Sequence, residues 1–388
     1  WDATDEAGNR VPDGEYRHSV TATDRAGNTT RVETTALRVD TRPTPLFVTA
    51  EYGAFAPNED GFRDSITITS YVGLPEGIES WEMELVHESG QVVLRRAGDM
   101  LGPVDEWQWD GRGAEGEILE GEYSARVSVE YEKGNRPSTV SDTFLLDISP
   151  PRVGVELDPL PFSPDDDGVD DELFISIEIE NRSDIAFWSF EILDRNDRFF
   201  HEFSGRGRPS DTITWDGRSE TGQLVISAED YPYVLTVTDV LGKTTVVEGE
   251  IPIDILVIRD GDRLRVQIAN ITFAPNSPEL IIEPVDERGA RNLAIMNRLA
   301  EIFTRYSMYS IQIEGHAVNL SETEREEREE LQPLSLARAE SVKEAMVQRG
   351  IASRRITAVG RGGTEPIVPH SDLDERWKNR RVEFILIR

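Results

Sequence analysis

The sequence predicts a multidomain chain: all-β sandwiches in tandem, followed by an α+β domain. Three observations predict it. A set of motifs in the first two thirds returns 107 residues later. Within each copy apolar and polar residues alternate at period two, the mark of a half-buried antiparallel strand. Near residue 255 both pattern and charge change. Residues 45–150 carry 7 basic and 21 acidic groups and residues 151–258 carry 8 and 24, but residues 259–388 carry 20 and 21. The length of 388 residues suits two to four domains, at roughly 100–200 residues each.

In the repeats, Phe55-Ala56-Pro57-Asn58-Glu59-Asp60-Gly61-Phe62-Arg63-Asp64 returns as Phe162-Ser163-Pro164-Asp165-Asp166-Asp167-Gly168-Val169-Asp170-Asp171. Trp81, Met83 and Leu85 return as Trp188, Phe190 and Ile192, and Trp109-Asp110-Gly111-Arg112 as Trp215-Asp216-Gly217-Arg218. Trp1-Asp2 and Gly14-Glu15-Tyr16 match Trp109-Asp110 and Gly121-Glu122-Tyr123, so residues 1–44 read as the C-terminal half of a further copy. The full copies run over 45–150 and 151–253. Strands are expected over 123–131 and 173–179, where apolar residues alternate. Turns are expected at Ala26-Gly27-Asn28, Lys133-Gly134-Asn135 and Asp166-Asp167-Gly168. About seven short strands in ~105 residues fit a sandwich. Pro43-Thr44-Pro45 and Pro150-Pro151 are stiff punctuation between copies.

In the Phe-Ser/Ala-Pro-x-x-Asp-Gly start, the Trp-Asp-Gly corner and the Gly-x-Tyr strand opening, these copies resemble bacterial Ig-like modules of the FlgD type. That resemblance implies spacers or binding platforms. The acidic turns also offer oxygens to a hard cation, through Asp165, Asp167 and Asp171 or through Asn58, Asp60 and Asp64. With Gly168 at position six of an EF-hand frame, however, Ser163 falls at one and Phe174 at twelve, where a bidentate Glu is needed. Asp and Asn equally cap turns. The sequence therefore predicts no metal site and no cofactor.

Lys+Arg is 41 and Asp+Glu 74, a net charge of −33, which argues against a nucleic-acid partner. The absence of cysteine excludes disulfides, thiolate metal centres and thiol catalysis. No run approaches the ~18 apolar residues of a membrane span. The chain opens in mid-pattern at Trp1 and reads as a fragment.

From Asp254 the elements change. A hairpin is expected around Arg259-Asp260-Gly261-Asp262, between apolar runs at 253–258 and 264–271. A helix over about 285–306 spaces Leu293, Met296, Leu299 and Phe303 along one face. A strand follows at 310–314. A second helix opens with Pro333, presents Leu336, Ala339, Val342 and Met346, and stops at Gly350. A strand at 356–359, a short turn at Trp377-Lys378-Asn379 and a last strand at 382–387 complete a sheet with two helices on it.

These residues carry six motifs in order: Ile271-Thr272-Phe273 with Asn276-Ser277 and Leu280; Glu314-Gly315-His316; Leu334-Ser335-Leu336-Ala337-Arg338-Ala339 with Val342; Gly350-Ile351 with Arg355-Ile356; Gly360-Arg361-Gly362 with Pro366; and Asn379-Arg380-Arg381-Val382-Glu383. In them residues 254–388 resemble the OmpA-like C-terminal domain, the peptidoglycan-associated module of bacterial envelopes. The resemblance implies a pocket that clamps the zwitterionic end of diaminopimelate, with an Arg fork for the carboxylate. Arg338 matches the family Arg, and Asn379 and Arg380 match the family's Asn-Arg-Arg run near the pocket. The anionic half is missing. Gly315-His316-Ala317-Val318 stands for the family's Gly-His-Thr-Asp, so Val318 replaces the ammonium-binding Asp, and Leu331 replaces the family Asn. The acidic stretch of Glu322, Glu324, Glu326, Glu327, Glu329 and Glu330 either swings a replacement carboxylate into the pocket or is a solvated helix start or loop.

The five His are scattered, and no HExxH, GxSxG or Walker pattern occurs, so no catalysis is expected. The resulting expectation is a non-enzymatic envelope protein of the periplasm, associated with the outer membrane through a segment outside this chain. Its partners would be peptidoglycan, held weakly or in an altered way, or other envelope proteins. A peptidoglycan anchor with a rebuilt pocket is the alternative, and a calcium-dependent adhesin the second.

Overall fold

The computed structural model describes every residue except Asn270 and Glu322. The chain divides into two compact units, one of residues 1–150 with 182–184 and 239–243, the other of 151–181, 185–238 and 244–388.

In the first unit, Leu46–Ala50, Ile66–Val72 and Val104–Trp109 form one antiparallel sheet. Ile78–His87, Val92–Gly98, Gly121–Tyr131, Phe144–Leu146 and Ala54–Phe55 form another, and Ser138–Val140 also pairs with Gly121–Tyr131. Every second residue of Gly121–Tyr131 is buried, as period two requires. Those residues meet Ile68, Met83, Leu85 and Trp109 in one core. The repeated motifs converge at a corner of this core. The Trp109 ring lies 5.4 Å from Phe55 and 4.8 Å from Tyr123, and its Nε1–H donates to Arg112 O at 2.8 Å. Gly111 takes φ +80°, and a Cβ there would lie 2.7 Å from Pro57. The Trp-Asp-Gly turn therefore needs its glycine for both conformation and contact.

Residues 1–44 fold as two hairpin-like pairs, Gly14–Tyr16 with Leu37–Val39 and Ser19–Thr23 with Thr29–Glu33. Within them no strand plays the part that Ile78–His87 plays for Gly121–Tyr131. Val20 is consequently 53% exposed, while its counterpart Val127 is fully buried. Also in the first unit, buried Lys243 places Nζ 2.9 Å from Asp147 and 3.3 Å from Asp239.

In the second unit, Arg152–Asp158, Leu173–Glu180 and Ile213–Trp215 form one sheet, and Phe199–Arg206, Ile185–Leu193, Asp230–Asp239 and Thr244–Pro252 the other. Leu173, Ile175, Phe190, Leu235 and Trp215 share their core. The corner repeats: Trp215 lies 5.5 Å from Phe162 and donates to Arg218 O at 2.9 Å.

The C-terminal part of this unit runs β1 (Ile258–Asp260), β2 (Arg263–Ile268), α1 (Glu287–Arg305), β3 (Ser310–His316), α2 (Gln332–Gln348), β4 (Ile356–Gly362) and β5 (Val382–Ile387). The sheet order is β1-β2-β5-β3-β4, with β3 and β4 parallel and the other pairs antiparallel. Alternate residues of β2, β3 and β5 join Met296, Leu299 and Phe303 of α1 and Ala339, Val342 and Met346 of α2 in one core, so both helices cover one sheet face. Asp286 caps α1 by accepting the Gly289 N–H at 2.8 Å. The Arg355 guanidinium closes its other end on Phe303 O and Tyr306 O, at 3.1 and 2.9 Å.

The hairpin is shorter than expected, because β1 begins only at Ile258. Residues 253–257 instead alternate between two cores. Ile253 and Leu256 pack with the preceding sheets, and Ile255 and Val257 with the helices.

The second helix differs from its expected face. Gly315 and Gly360 are register partners on β3 and β4. A Cβ on Gly315 would lie 2.2 Å from Ser335 O, and one on Gly360 2.5 Å from Gln332 O. The α2 backbone thus rests on the strands with no side chain between. That leaves space below it for Ser335, whose Oγ donates to Gln332 O and accepts the Gly362 N–H, each at 3.0 Å. Leu336, expected on the core face, is turned out and 42% exposed. Glu324–Glu326 and Glu327–Leu331 are themselves helical turns leading directly into α2. Of the two readings of the acidic stretch, its described part is a helix start, mostly exposed except at Glu326 and Glu327; Glu322 lies outside the described residues.

Substituting Gly315→Ala is expected to destabilise the C-terminal core by about 1–3 kcal/mol, since backbone must move to admit a methyl group. Leu336→Ala should stay within about 0.5 kcal/mol. Native-state hydrogen exchange at β3 amides distinguishes the two.

Candidate functional site

The seat of α2 delivers Leu331, Leu334 and Arg338 to a cleft of about 880 Å³. The loop at 271–276, the end of β3 with Ala317 and Val318, and Trp377 and Arg380 before β5 supply its other walls. The loop is fixed by Asn292, a fully buried side chain on α1. Its Oδ1 accepts the Thr272 N–H at 3.0 Å, and its Nδ2 donates to Thr272 O and Ile281 O at 2.7 and 2.6 Å. The loop in turn holds Arg338, whose guanidinium stacks 5.0 Å from the Phe273 ring and donates from Nε to Ser277 O at 3.2 Å. Burial, together with the positive charge of Arg380, pushes the Arg338 pKa down. An arginine stays cationic regardless. Among the described residues neither Arg338 nor Arg380 has a carboxylate at salt-bridge distance, so this part of the cleft attracts anions.

Val318 and Leu331 both line the cleft, as the sequence places them, and with Leu320 and Leu334 make its wall apolar. Asn379 is buried and does not line it. Its Oδ1 accepts the Ile367 and Val368 N–H groups at 2.7 and 3.1 Å, and its Nδ2 donates to Val368 O at 2.8 Å. Asn379 thus fixes the loop after β4 and with it the point from which Arg380 departs. No carboxylate of the helical stretch 324–330 lines the cleft. Glu327 instead accepts the Gly363 N–H at 2.9 Å and the Asn319 amide at 3.3 Å. The acid that does line the cleft is Glu287, in the first turn of α1.

Sequence reasoning missed two further contributors. Arg195 lines the cleft although it lies before the OmpA-like segment. It stacks 4.5 Å from the Trp377 ring and bonds Glu229 at 2.9 Å, and the same carboxylate holds Arg291 at 3.1 Å. Burial raises the Glu229 pKa against the pull of both arginines. Nothing local in the sequence signals Arg195. Asn292 did leave a signal, a polar residue at a core position of a helical pattern.

Next to the cleft lies a buried charged layer. Glu314 pairs with Arg361, and Glu383 with Arg381, each at 2.5 Å. Burial resists ionisation of Glu314, but the Arg361 and Gln312 hydrogen bonds outweigh it and lower its pKa. Burial and then the Arg381 charge push His316 down to about 4, so its ring is neutral. Glu314, His316 and Glu365 bring ligand atoms within 4.8 Å of one another. The Arg361 guanidinium already neutralises Glu314, which leaves little reason for a metal there.

Residues 272–380 match the OmpA family. Among similar proteins, the photosystem I P700 chlorophyll a apoprotein A2 of Gloeobacter violaceus is 31% identical over 28% of this chain and 13% of its own length. The peptidoglycan-binding protein ArfA of Mycobacterium bovis is 43% identical over 14% of this chain and 17% of its own. The peptidoglycan-associated lipoprotein of Rhizobium meliloti is 31% identical over 24% of this chain and 50% of its own. The chain therefore spans half or less of each of these relatives. No helix among the described residues is long and apolar enough to cross a membrane.

Two outcomes follow from the site. Asn292→Ala removes the three hydrogen bonds that tie Thr272 and Ile281 to α1, a loss of about 1–3 kcal/mol, read as lower protection from hydrogen exchange in the 272–281 loop. For His316, the native pKa of about 4 lies below the ordinary 6.5, so unfolded chains take up the proton first. Stability from this group is complete above 6.5 and is lost as pH falls towards 4. His316→Gln should flatten urea-denaturation midpoints across that window relative to the parent.

Proposed function

We propose that this chain is a non-enzymatic cell-envelope protein. Its acidic Ig-like copies, over 45–150 and 151–253, act as a spacer, and its OmpA-like domain, over 254–388, recognises a carboxylate of a cell-wall peptide without clamping a free ammonium. The observation that carries this reading is the Arg338–Arg380 pair, without a carboxylate partner, in a cleft walled by Val318 and Leu331. Two relatives are named for binding or associating with peptidoglycan, which supports that polymer as the partner. In this reading Asn379 and Asn292 position the arginines rather than touch the ligand.

A zwitterion entering such a cleft finds a partner for its carboxylate only. An ammonium desolvated against valine and leucine goes uncompensated. Loss of one partner of a buried charge pair costs about 2–5 kcal/mol. At ~1.4 kcal/mol per decade, that weakens a micromolar affinity to between tens of micromolar and a few millimolar.

Titration with free diaminopimelate by calorimetry tests this. The parent chain should bind no tighter than tens of micromolar. Val318→Asp, and more so Val318→Asp with Leu331→Asn, should gain affinity by at least about tenfold, and adding Arg338→Ala should abolish the gain. Micromolar binding by the parent would overturn the reading and point to Glu287 as the replacement anion. Co-sedimentation with purified sacculi that is unaffected by Arg338→Ala would remove peptidoglycan as the ligand of this cleft.

A further inference from the structure

The two acidic turns of the repeats have the same backbone but different chemistry. In the first copy, Asp64 accepts the N–H groups of Glu59 and Gly61 at 2.7 and 2.8 Å, and the Asn58 amide closes the turn by donating to Asp60 at 2.8 Å. In the second copy, Asp171 accepts the N–H groups of Asp166 and Gly168, both at 2.7 Å, in the same way. The Asn58 position, however, is Asp165. A carboxylate cannot donate to Asp167 as the amide does to Asp60.

Asp165 also differs in exposure. Asn58 is exposed, whereas Asp165 retains only 9% of its accessible surface. Its Oδ2 accepts the buried Val257 N–H at 2.8 Å, but its Oδ1 is buried with no hydrogen-bond partner. Asp165, Asp167 and Asp171 each bring a carboxylate oxygen within 4.8 Å of the others. A buried, unpartnered oxygen beside two further carboxylates is costly unless something positive joins them.

We propose that Asp165, Asp167 and Asp171 form a calcium site, with Asp165 Oδ1 as its buried ligand. The chemistry suits a hard cation that takes carboxylate, carbonyl and water oxygens in irregular geometry. The failure of the EF-hand frame does not bear on it, because these ligands come from a turn between strands, not from a helix-flanked loop. Through Asp165 the ion would also brace Val257, the first residue before β1, against the turn.

The test uses the full chain at pH 7.5, stripped with EDTA and titrated with calcium chloride by calorimetry and thermal unfolding. The parent should bind calcium with a dissociation constant on the order of 10⁻⁴–10⁻³ M, as weak extracellular modules do, and should melt higher in its presence. Asp165→Asn installs the residue that the first copy carries. It should weaken binding at least tenfold and remove the calcium-dependent rise, while melting no lower than the parent in EDTA. Asp167→Asn, at an exposed position, should also weaken binding and serves if Asp165→Asn folds poorly. No calcium heat and no shift in melting up to 10 mM, or equal binding by the parent and both variants, would overturn the site.

Discussion

The candidate site depends on how closely α2 lies on β3 and β4. Gly315 and Gly360, side by side in the sheet, remove the side chains that would hold the helix off, and the carbonyls of Gln332 and Ser335 occupy that space. Everything α2 contributes to the cleft takes its position from this contact. Ser335 reaches Gly362, Leu331 and Leu334 form wall, and Arg338 meets the loop that Asn292 fixes. A helix one side chain further out would present the same residues to solvent. Backbone packing thus sets the recognition chemistry here, and the arginine is its consequence.

Charge is distributed unevenly around that contact. Beside the cleft, each buried carboxylate has a guanidinium: Glu314 has Arg361, Glu383 has Arg381, and Glu229 has Arg195 and Arg291. Arg338 and Arg380, by contrast, are held by an aromatic face, a carbonyl and the backbone. The long-range field of the acidic repeats would tend to repel the anionic ligand that the cleft favours, so binding there relies on short-range contact inside the Debye length.

Much of the C-terminal architecture was legible in the sequence because its signals are local. Helix spacing, Pro333 and Gly350 placed both helices, and period two placed the strands. Leu336 was misread because amphipathic spacing assumes a side chain between helix and sheet, and the glycine pair removes that assumption. The hairpin was overextended because an apolar run looks alike whether it pairs in a sheet or alternates between two cores. At the cleft, Val318, Leu331, Arg338 and Arg380 were found from motif positions. Arg195 was not, since it arrives through a tertiary contact with Trp377 that no spacing encodes. The difference between Asn58 and Asp165 was visible as letters, but its weight rests on burial, which only the fold supplies.

The five residues from Ile253 to Val257 give the second unit a mechanical property. A flexible tether lets the bodies it joins swing independently. Here Leu256 is embedded on one side and Ile255 and Val257 on the other, so any rotation about this joint must first draw an apolar side chain into water. The joint is thus held by burial on both sides and not by a stiff backbone.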